Sequence, residues 1–304
     1  MGEGTGRRLE IAALADDCGR TPENGDRQDS ALPAARRAGA MTPGEIRLPA
    51  GRLETGWWGA GPDDAPTLVL LHEGLGSLGL WRQFPAALAE ATGCGVLAYS
   101  RFGYGGSDPV PLPRPLDYMQ REAREVLPHV LDAIGLWRGA LVGHSDGGSI
   151  AAIYASSFHD SRIRGLALLA PHFFTEEMGL AAIAEAGRRY QQGDLRGRLA
   201  RHHRDPDNAF RGWNDAWLDP GFPAAFDLLP DLVRIRVPIL AIQGDADPYG
   251  TEEQLRVLAR EATGPVEVRM LPGVGHAPHA EAPEAVLAAV AEFAARRLGG
   301  GGWE

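Results

Sequence analysis

The sequence predicts an α/β protein in which helices cover both faces of a mostly parallel sheet of eight strands. From residue 67 onward, short apolar runs alternate with longer stretches of helical spacing. Apolar strands separated by helices are typical of parallel sheets that are buried on both faces. Near the start, EIRLPA (45–50) and RLETGWWG (52–59) are joined by Gly51 alone. This pattern predicts an antiparallel hairpin, which we expect at one edge of the sheet.

The other elements follow from the same alternation. Buried strands are predicted for TLVLLH (67–72), CGVLAYS (94–100), GALVGHS (139–145), IRGLALLA (163–170), VPILAIQG (237–244) and VEVRMLPG (266–273). Helices are predicted over residues 80–93, 116–135, 145–158, 252–263 and 281–298. Pro128 is a candidate kink in the second of these helices, because proline lacks the backbone N–H that a helix interior uses.

The segment 172–229 breaks the alternation. It is polar, contains tryptophans and reads as several helices, and it is too long for an ordinary connection between two strands. We predict that it is an inserted helical cap, so that residues 44–171 and 230–298 form the core.

The two ends of the chain differ from the core in composition. Residues 1–43 are rich in Gly, Ala, Arg and acidic residues and lack strand-like runs, so they predict a disordered extension. Met41 is an alternative start, since ordered-looking sequence begins just after it. Residues 299–304 are expected to form a flexible tail.

Composition narrows the class of protein. The 304 residues carry a formal charge of −10 and no dense basic block, which argues against nucleic acid or an anionic membrane as partner. No apolar run reaches the roughly 18 residues of a membrane span, and the N-terminal sequence is a poor signal peptide. Cys18 and Cys94 are far apart and lack metal-ligand spacing, so neither a disulfide framework nor a zinc site is expected. The default is a cytoplasmic enzyme, monomeric or homodimeric, that acts on a small molecule.

The stretch LVGHSDGGSI contains Gly143-His144-Ser145-Asp146-Gly147, which fits G-x-S-x-G. An apolar strand precedes it and a helix follows, which is the context that this motif requires. Glycines are needed because a strand that turns sharply into a helix leaves no room for side chains beside the serine. The turn exposes the serine hydroxyl at a helix N-terminus, so Ser145 is the candidate nucleophile.

A serine hydroxyl needs a base, and the base needs an acid to orient it. In this topology the chain order is serine, acid, histidine. Asp245 and Asp247 follow one predicted strand, and His276 follows the last one. Groups beyond the carboxyl ends of parallel strands meet at one edge of the sheet.

At these motifs the chain resembles the α/β-hydrolase superfamily. The resemblance covers residues 45–298 and rests on LHEGLGS, YSRFGYGGSD, GHSDGG, VPILAIQGDADP and GVGHAPHAEAPEAV. It implies the α/β-hydrolase fold and a triad of Ser145, Asp247 and His276. Asp247 is preferred to Asp245 because the family's acid usually stands third after the glycine, often before proline. Asp245 is then a loop carboxylate that caps the next turn.

The oxyanion hole is expected to combine the backbone N–H of Asp146 with one from the loop after the third strand. Relatives typically have His-Gly there, whereas this chain has His72-Glu73-Gly74. Gly74 is the first choice for the second donor and Leu75 the alternative. Glu73 has two open interpretations, a structural replacement or a pocket residue that disfavours anionic substrates.

The carboxylate of Asp146 also has two interpretations. It stabilises the start of the helix by capping or ion pairing, worth about 0.3–1 kcal/mol, or it binds a cationic substrate group. The sequence Ser-Asp-Gly-Gly resembles the corresponding sequence of amino-acid ester hydrolases of the valacyclovir hydrolase type. The aspartate of those enzymes holds the substrate's ammonium group.

Several other side chains are assigned from their positions. Candidates for the substrate pocket, together with Glu73, are His144, His172, Phe173, Trp213 and Trp217. His144 is otherwise a packing residue, and His72 braces the oxyanion loop. His279 is expected to support His276 indirectly, and His202-His203 to lie on a solvated helical face.

The expected function is a serine hydrolase that cleaves a small to medium carboxylic ester through an acyl-enzyme, without cofactor or metal. The same fold also carries hydrolases of C–C bonds, thioesters and lactones. An amino-acid ester hydrolase that uses Asp146 and a non-hydrolytic ligand-binding protein are further alternatives.

Overall fold

The computed structural model describes residues 40–299 and contains one sheet of eight strands in that range. The strands are β1 Thr42–Leu48, β2 Gly51–Trp58, β3 Thr67–Leu71, β4 Gly95–Tyr99, β5 Gly139–His144, β6 Ile163–Leu169, β7 Ile239–Gly244 and β8 Val266–Leu271. Their order across the sheet is β1-β2-β4-β3-β5-β6-β7-β8. β2 is antiparallel to both β1 and β4, and every other pair is parallel. The predicted fold class is therefore confirmed.

The predicted hairpin is present, but its turn is shifted. Leu48 pairs directly with Gly51, so the turn residues are Pro49 and Ala50, and Gly51 belongs to β2. β1 also begins at Thr42, inside the predicted N-terminal extension. The rest of that extension, residues 1–39, and the predicted tail from residue 300 lie outside the described residues.

Twelve α-helices pack around the sheet within residues 40–299. They are α1 Phe84–Thr92, α2 Tyr118–Arg121, α3 Leu127–Ala133, α4 Asp146–Ser157, α5 Glu177–Gln192, α6 Leu195–Leu199, α7 Pro206–Trp217, α8 Phe222–Ala225, α9 Leu229–Leu232, α10 Glu253–Glu261, α11 Pro278–Glu281 and α12 Pro283–Leu298. None of the helices in the described part of the chain combines the length and the apolar character needed to cross a membrane.

Two predicted helices differ in detail. The segment expected to form a helix from residue 80 first makes a 3₁₀ turn, Leu78–Trp81, and α1 starts only at Phe84. The long helix predicted over 116–135 is interrupted by a π-helical turn, Glu122–Val126. Pro128 follows in the first turn of α3, where its missing N–H is tolerated, so the irregularity precedes the proline.

The core lies on both faces of the sheet, as a parallel sheet requires. In β3, Val69 and Leu71 face one apolar cluster, whereas Leu68 and Leu70 face the other. This double burial explains why the central strands read as continuous apolar runs.

The helices α5–α9 lie between β6 and β7 and are called the helical insertion below. Tyr190 of α5 stacks on Phe210 of α7 at 3.8 Å between ring centroids. The side-chain amide of Asn214 donates to the carbonyl of Ile183, which joins the same two helices.

Chemically active side chains gather at one edge of the sheet, because six strands end there. The residues that follow these carboxyl ends are Glu73, Arg101, Ser145, His172, Asp247 and His276.

Candidate active site

Ser145 occupies a sharp turn between β5 and α4. Its φ of 53° and ψ of −118° are strained for a residue with a side chain. The flanking glycines are required by space. A Cβ atom on Gly143 would lie 2.3 Å from the carbonyl oxygen of Gly147, and a Cβ on Gly147 would lie 1.9 Å from that of Leu71. The backbone crowding predicted for the G-x-S-x-G motif is therefore present.

The serine hydroxyl lies at the end of a hydrogen-bonded chain of three side chains. Ser145 Oγ is 2.9 Å from His276 Nε2, and His276 Nδ1 is 2.8 Å from Asp247 Oδ2. In the neutral imidazole, Nδ1–H donates to the carboxylate, which leaves Nε2 free to accept the serine proton. The three residues assigned from the sequence thus lie in an order suited to activating a hydroxyl.

Asp247 is held by groups other than His276. The backbone N–H of Tyr249 donates to its Oδ1 at 2.8 Å, and the Gln243 amide donates to Oδ2 at 3.2 Å. Burial acts to raise the pKa of Asp247, but the charge and hydrogen bond of His276 outweigh it and the pKa is lowered. Asp245, by contrast, accepts from the exposed N–H of Gly273 at 2.6 Å, which caps that turn.

The pKa of His276 is raised above its ordinary value. Burial alone would lower it, but the Asp247 carboxylate stabilises the imidazolium by charge and hydrogen bonding. This direction favours a ring that takes up a proton and holds it while a reaction proceeds.

The loop after β3 is fixed through the carbonyl oxygen of Glu73. This oxygen accepts hydrogen bonds from His72 Nδ1 at 2.7 Å, from Arg101 Nη2 at 2.9 Å and from the N–H of Gly76 at 3.0 Å. His72 Nε2 accepts from the N–H of Arg101, which assigns the ring proton to Nδ1. The Glu73 carbonyl and the Gly74 N–H belong to one peptide group, so these contacts also orient the Gly74 N–H.

The helical insertion also contacts this loop, through His203. The N–H of Gly105 donates to His203 Nδ1 at 3.0 Å, and Nε2 donates to the Leu75 carbonyl at 3.1 Å. The expectation of a solvated position is therefore wrong for His203, which is only 4% exposed. Burial lowers its pKa to about 4, so the ring is neutral near pH 7.

A comparison with protein-family models identifies the fold. Residues 66–219 match the sequence profile of the alpha/beta hydrolase fold. The chain belongs to the α/β-hydrolase family.

Solved structures share the fold of this chain at low identity. The enol-lactonase from Burkholderia xenovorans LB400 superposes with a TM-score of 0.65 at 21% identity, over 82% of this chain and 99% of that one. Naproxen esterase from Bacillus subtilis gives 0.63 at 20% identity, over 84% and 91%. Est816, described as an N-acyl homoserine lactone degrading enzyme, gives 0.64 at 24% identity, over 82% and 100%.

A proline iminopeptidase from Lactobacillus helveticus is 31% identical to this chain over 105 residues. The match covers 34% of this chain and 35% of that protein, so the chain spans about a third of the length of the curated relative.

Asp146, next to the serine, is buried in a polar cluster. The hydroxyl of Tyr118 donates to its Oδ2 at 2.5 Å, and Arg101 Nη2 lies 3.6 Å from the same oxygen. Its Oδ1 has no hydrogen-bond partner, and its Oδ2 accepts from the Tyr118 hydroxyl rather than from a backbone N–H of α4. Burial raises the pKa of Asp146 although Arg101 and Tyr118 act to lower it. An ion pair with Arg101 is therefore present next to the serine, and the role of this carboxylate toward a substrate stays a prediction.

Glu73 and His144, both assigned to the pocket, contact each other. His144 Nδ1 lies 3.3 Å from Glu73 Oε2, and His144 Nε2 lies 2.7 Å from the His276 carbonyl oxygen. His279 packs against this pair, with its ring centroid 4.8 Å from that of His144. His144 is thus buried between two loops of the site.

The two tryptophans of α7 approach different parts of the site. A Cβ on Gly74 would lie 2.1 Å from Trp213 Nε1, so the indole lies directly against the loop after β3. Trp217 donates from Nε1 to the Tyr118 hydroxyl at 3.0 Å.

His172 and Phe173, at the end of β6, have different surroundings. The His172 ring lies 5.5 Å from that of His276 and 5.6 Å from that of Trp217, and neither of its nitrogens has a hydrogen-bond partner. Burial lowers the pKa of His172 to about 4. Phe173 is fully buried in the apolar core, and its N–H donates to Gln254 Oε1 at 2.8 Å.

Sequence reasoning did not find Arg101, Tyr118, Gln243 or the contacts of His203. Arg101 follows a buried strand inside a glycine-rich loop, and a charged residue there was the one available signal. The others depend on contacts between segments far apart in the chain, such as that between Gly105 and His203.

Proposed function

We propose that this protein is a serine hydrolase that cleaves small to medium carboxylic esters through an acyl-enzyme on Ser145. The observation that carries the proposal is the continuous chain of contacts from Ser145 Oγ through His276 to Asp247, at 2.9 and 2.8 Å. These distances lie within the range expected for a nucleophile, its base and an orienting acid.

In the proposed cycle, Ser145 Oγ attacks the carbonyl carbon while His276 Nε2 takes its proton. His276 then returns the proton to the departing alcohol, and the acyl group remains on the serine. A water molecule gives its proton to His276 and attacks the acyl-enzyme, which releases the acid and restores Ser145. Asp247 keeps Nδ1 protonated throughout and stabilises the imidazolium.

We assign the oxyanion to two backbone N–H groups. Asp146 supplies the first because it begins α4, where N–H groups have no acceptor within the helix. Gly74 supplies the second, in keeping with the three hydrogen bonds that fix the preceding carbonyl. Leu75 remains the alternative donor.

The helical insertion acts as a cap in this proposal. Trp213 borders the oxyanion loop, and His203 links the cap to Leu75. These contacts support a substrate pocket between the sheet edge and α7, with His172 and Trp217 on its side nearer His276.

The charge around Asp146 supports a neutral acyl group as substrate. Arg101 already opposes the buried carboxylate, so a substrate ammonium group would compete with the guanidinium for it. An amino-acid ester is therefore the second candidate, kept because of the unpartnered Oδ1 and the partial likeness to a proline iminopeptidase. Asp146→Asn would abolish selectivity for amino-acid esters over neutral esters if this second candidate is right, and would affect both equally if it is not.

Lactones belong to the same proposal because a lactone is an internal ester. The likeness in fold to an enol-lactonase and to an N-acyl homoserine lactone degrading enzyme justifies testing them. Thioesters, C–C bonds and non-hydrolytic ligand binding are alternatives on the same scaffold.

The test combines covalent labelling with a substrate panel. A fluorophosphonate probe should label the wild type and leave Ser145→Ala unlabelled. The wild type should also release p-nitrophenol from the acetate and butyrate esters, or open a simple lactone, with multiple turnovers. Absence of both labelling and acyl release would refute the serine hydrolase, whereas slow turnover with tight ligand binding would favour a binding protein.

A further inference from the structure

His144 must carry a proton on Nε2. This nitrogen lies 2.7 Å from the backbone carbonyl oxygen of His276, and a carbonyl oxygen only accepts hydrogen bonds. The hydrogen is therefore on His144, and the ring donates to the loop that carries the candidate base.

The contact of the other ring nitrogen depends on how many protons Glu73 and His144 hold together. His144 Nδ1 lies 3.3 Å from Glu73 Oε2. A neutral ring with its hydrogen on Nε2 has a lone pair on Nδ1, and an ionised carboxylate also offers only lone pairs. A hydrogen bond between them needs one further proton, held either by His144 as an imidazolium or by Glu73 as a carboxylic acid.

Imidazole is a stronger base than a carboxylate, so the shared proton belongs on His144. Burial acts to raise the pKa of Glu73, but the hydrogen bond and charge of His144 outweigh it and the pKa falls well below its usual range. The other titratable and charged groups that face the pair are His72, His202, His203, His276, His279 and Arg82. Burial holds the pKa of His279 at about 3 and also lowers that of His72, so neither ring brings a competing positive charge near pH 7.

We propose that Glu73 and His144 form a buried ion pair that holds the loop of His276 against the oxyanion loop. His144 immediately precedes Ser145, and Glu73 immediately precedes Gly74. The pair therefore joins the three backbone segments whose relative positions the reaction depends on. Both are positioning residues, because neither contacts the Ser145 hydroxyl.

Both partners of the ion pair are withdrawn from water, which strengthens their attraction but costs each charge its hydration. The side chain of His144 is 2% exposed and that of Glu73 is 13% exposed. A buried charge without a partner is strongly unfavourable, so loss of either residue neutralises the other. The unusual glutamate at position 73 and the histidine at position 144 thus have one joint explanation. The role in positioning rests on the proposed function, whereas the charge state of the pair does not.

The charge state is tested by long-range ¹H–¹⁵N correlation spectra of the histidine rings in the full chain near pH 7. The wild type should show both nitrogens of His144 protonated. In Glu73→Gln the side-chain amide can donate to Nδ1, so His144 should become neutral with Nε2 still protonated. Glu73→Ala should also give a neutral ring, and the His144→Gln spectrum identifies the resonances of His144. A neutral His144 in the wild type would overturn the ion pair.

Positioning is tested with kinetics on the same variants. Glu73→Ala should lower kcat by about tenfold to a hundredfold, as expected when reacting groups are misplaced, with KM changed less than about twofold. Glu73→Gln should restore most of the kcat, and the exposed control Glu45→Gln should match the wild type. Equal kcat in Glu73→Ala and the wild type would refute the positioning role. Failure of the wild type to react with a fluorophosphonate would instead refute the proposed function, whatever the spectra show.

Discussion

Arg101 donates a hydrogen bond from Nη2 to the carbonyl oxygen of Glu73 at 2.9 Å, and the same nitrogen lies 3.6 Å from the carboxylate of Asp146. The guanidinium thus contacts the residue before Gly74 and the residue after Ser145. These contacts connect the two peptide segments to which we assign the oxyanion.

Substitution of Arg101 by lysine tests this connection. An ammonium group keeps the positive charge, but the lysine side chain is one atom shorter and cannot place its nitrogen where Nη2 lies. We expect kcat on p-nitrophenyl butyrate to fall about tenfold, or about 1.4 kcal/mol in the activation barrier, with little change in KM. The control is Arg121→Lys, in the exposed ion pair with Asp117. A rise in KM at constant kcat would instead indicate that Arg101 contributes to substrate binding.

The pH dependence of kcat/KM should report His276. A protonated ring cannot accept the serine proton, so activity falls as the pH drops through the pKa of His276. Because Asp247 raises that pKa, the fall should begin at a higher pH than it would for a histidine with the ordinary value.

Asp247→Asn should change this profile in two ways. It removes the charge that raises the pKa of His276, so the acid limb of the residual activity should move to lower pH. It also removes the acceptor that orients the ring, so kcat should fall by about three to four orders of magnitude. Asp245→Asn is the matched control because this exposed aspartate contacts Gly273 instead. Equal losses in the two variants would contradict the assignment of Asp247.

Trp213 is expected to limit substrate size. Its indole lies against Gly74, so Trp213→Leu should open space beside the oxyanion loop while keeping an apolar contact. The ratio of kcat/KM for p-nitrophenyl octanoate over the butyrate should rise by about tenfold, as expected when a hydrophobic pocket gains room for methylene groups. Trp137→Leu, at an exposed tryptophan, provides the comparison. An unchanged ratio would place the acyl chain elsewhere.

Gly147→Ala should destabilise the protein as well as inactivate it. The added methyl group would lie 1.9 Å from the Leu71 carbonyl oxygen, so β3 and α4 must separate. A loss of at least about 2 kcal/mol is expected in urea denaturation. Gly197→Ala in α6 meets no neighbour within 4 Å and should raise the unfolding free energy by about 0.5–1 kcal/mol. Similar midpoints for both variants would show that the contact at Gly147 relaxes easily.

The elements that the sequence predicts correctly are those determined by local patterns of residues. β3 to β7 could be assigned because burial on both faces leaves each with a mostly apolar run, interrupted by His144 in β5, Arg164 in β6 and Gln243 in β7. The break at Glu122–Val126 could not, because a π-helical turn leaves the spacing of apolar residues almost unchanged.

The candidate site also has residues that the sequence predicts and contacts that it does not. Ser145, Asp247 and His276 stand at strand ends, and chain order alone brings strand ends of one sheet to a common edge. The partners of His203, Arg101 and Glu73 depend on how loops and the helical insertion pack against one another. No local pattern encodes those contacts. The sequence therefore predicts a solvated His203 and leaves two interpretations of the Asp146 carboxylate open.

The contact between Trp213 and Gly74 bears on how the substrate range of this protein can change during evolution. Tryptophan has a single codon, and every sense change of one nucleotide converts it to Arg, Gly, Leu, Ser or Cys. Each of these removes the indole, whereas the intermediate aromatic side chains need more than one mutation. Divergence at this position therefore proceeds by an abrupt opening of the pocket rather than by graded enlargement, and it leaves the residues on the sheet edge untouched.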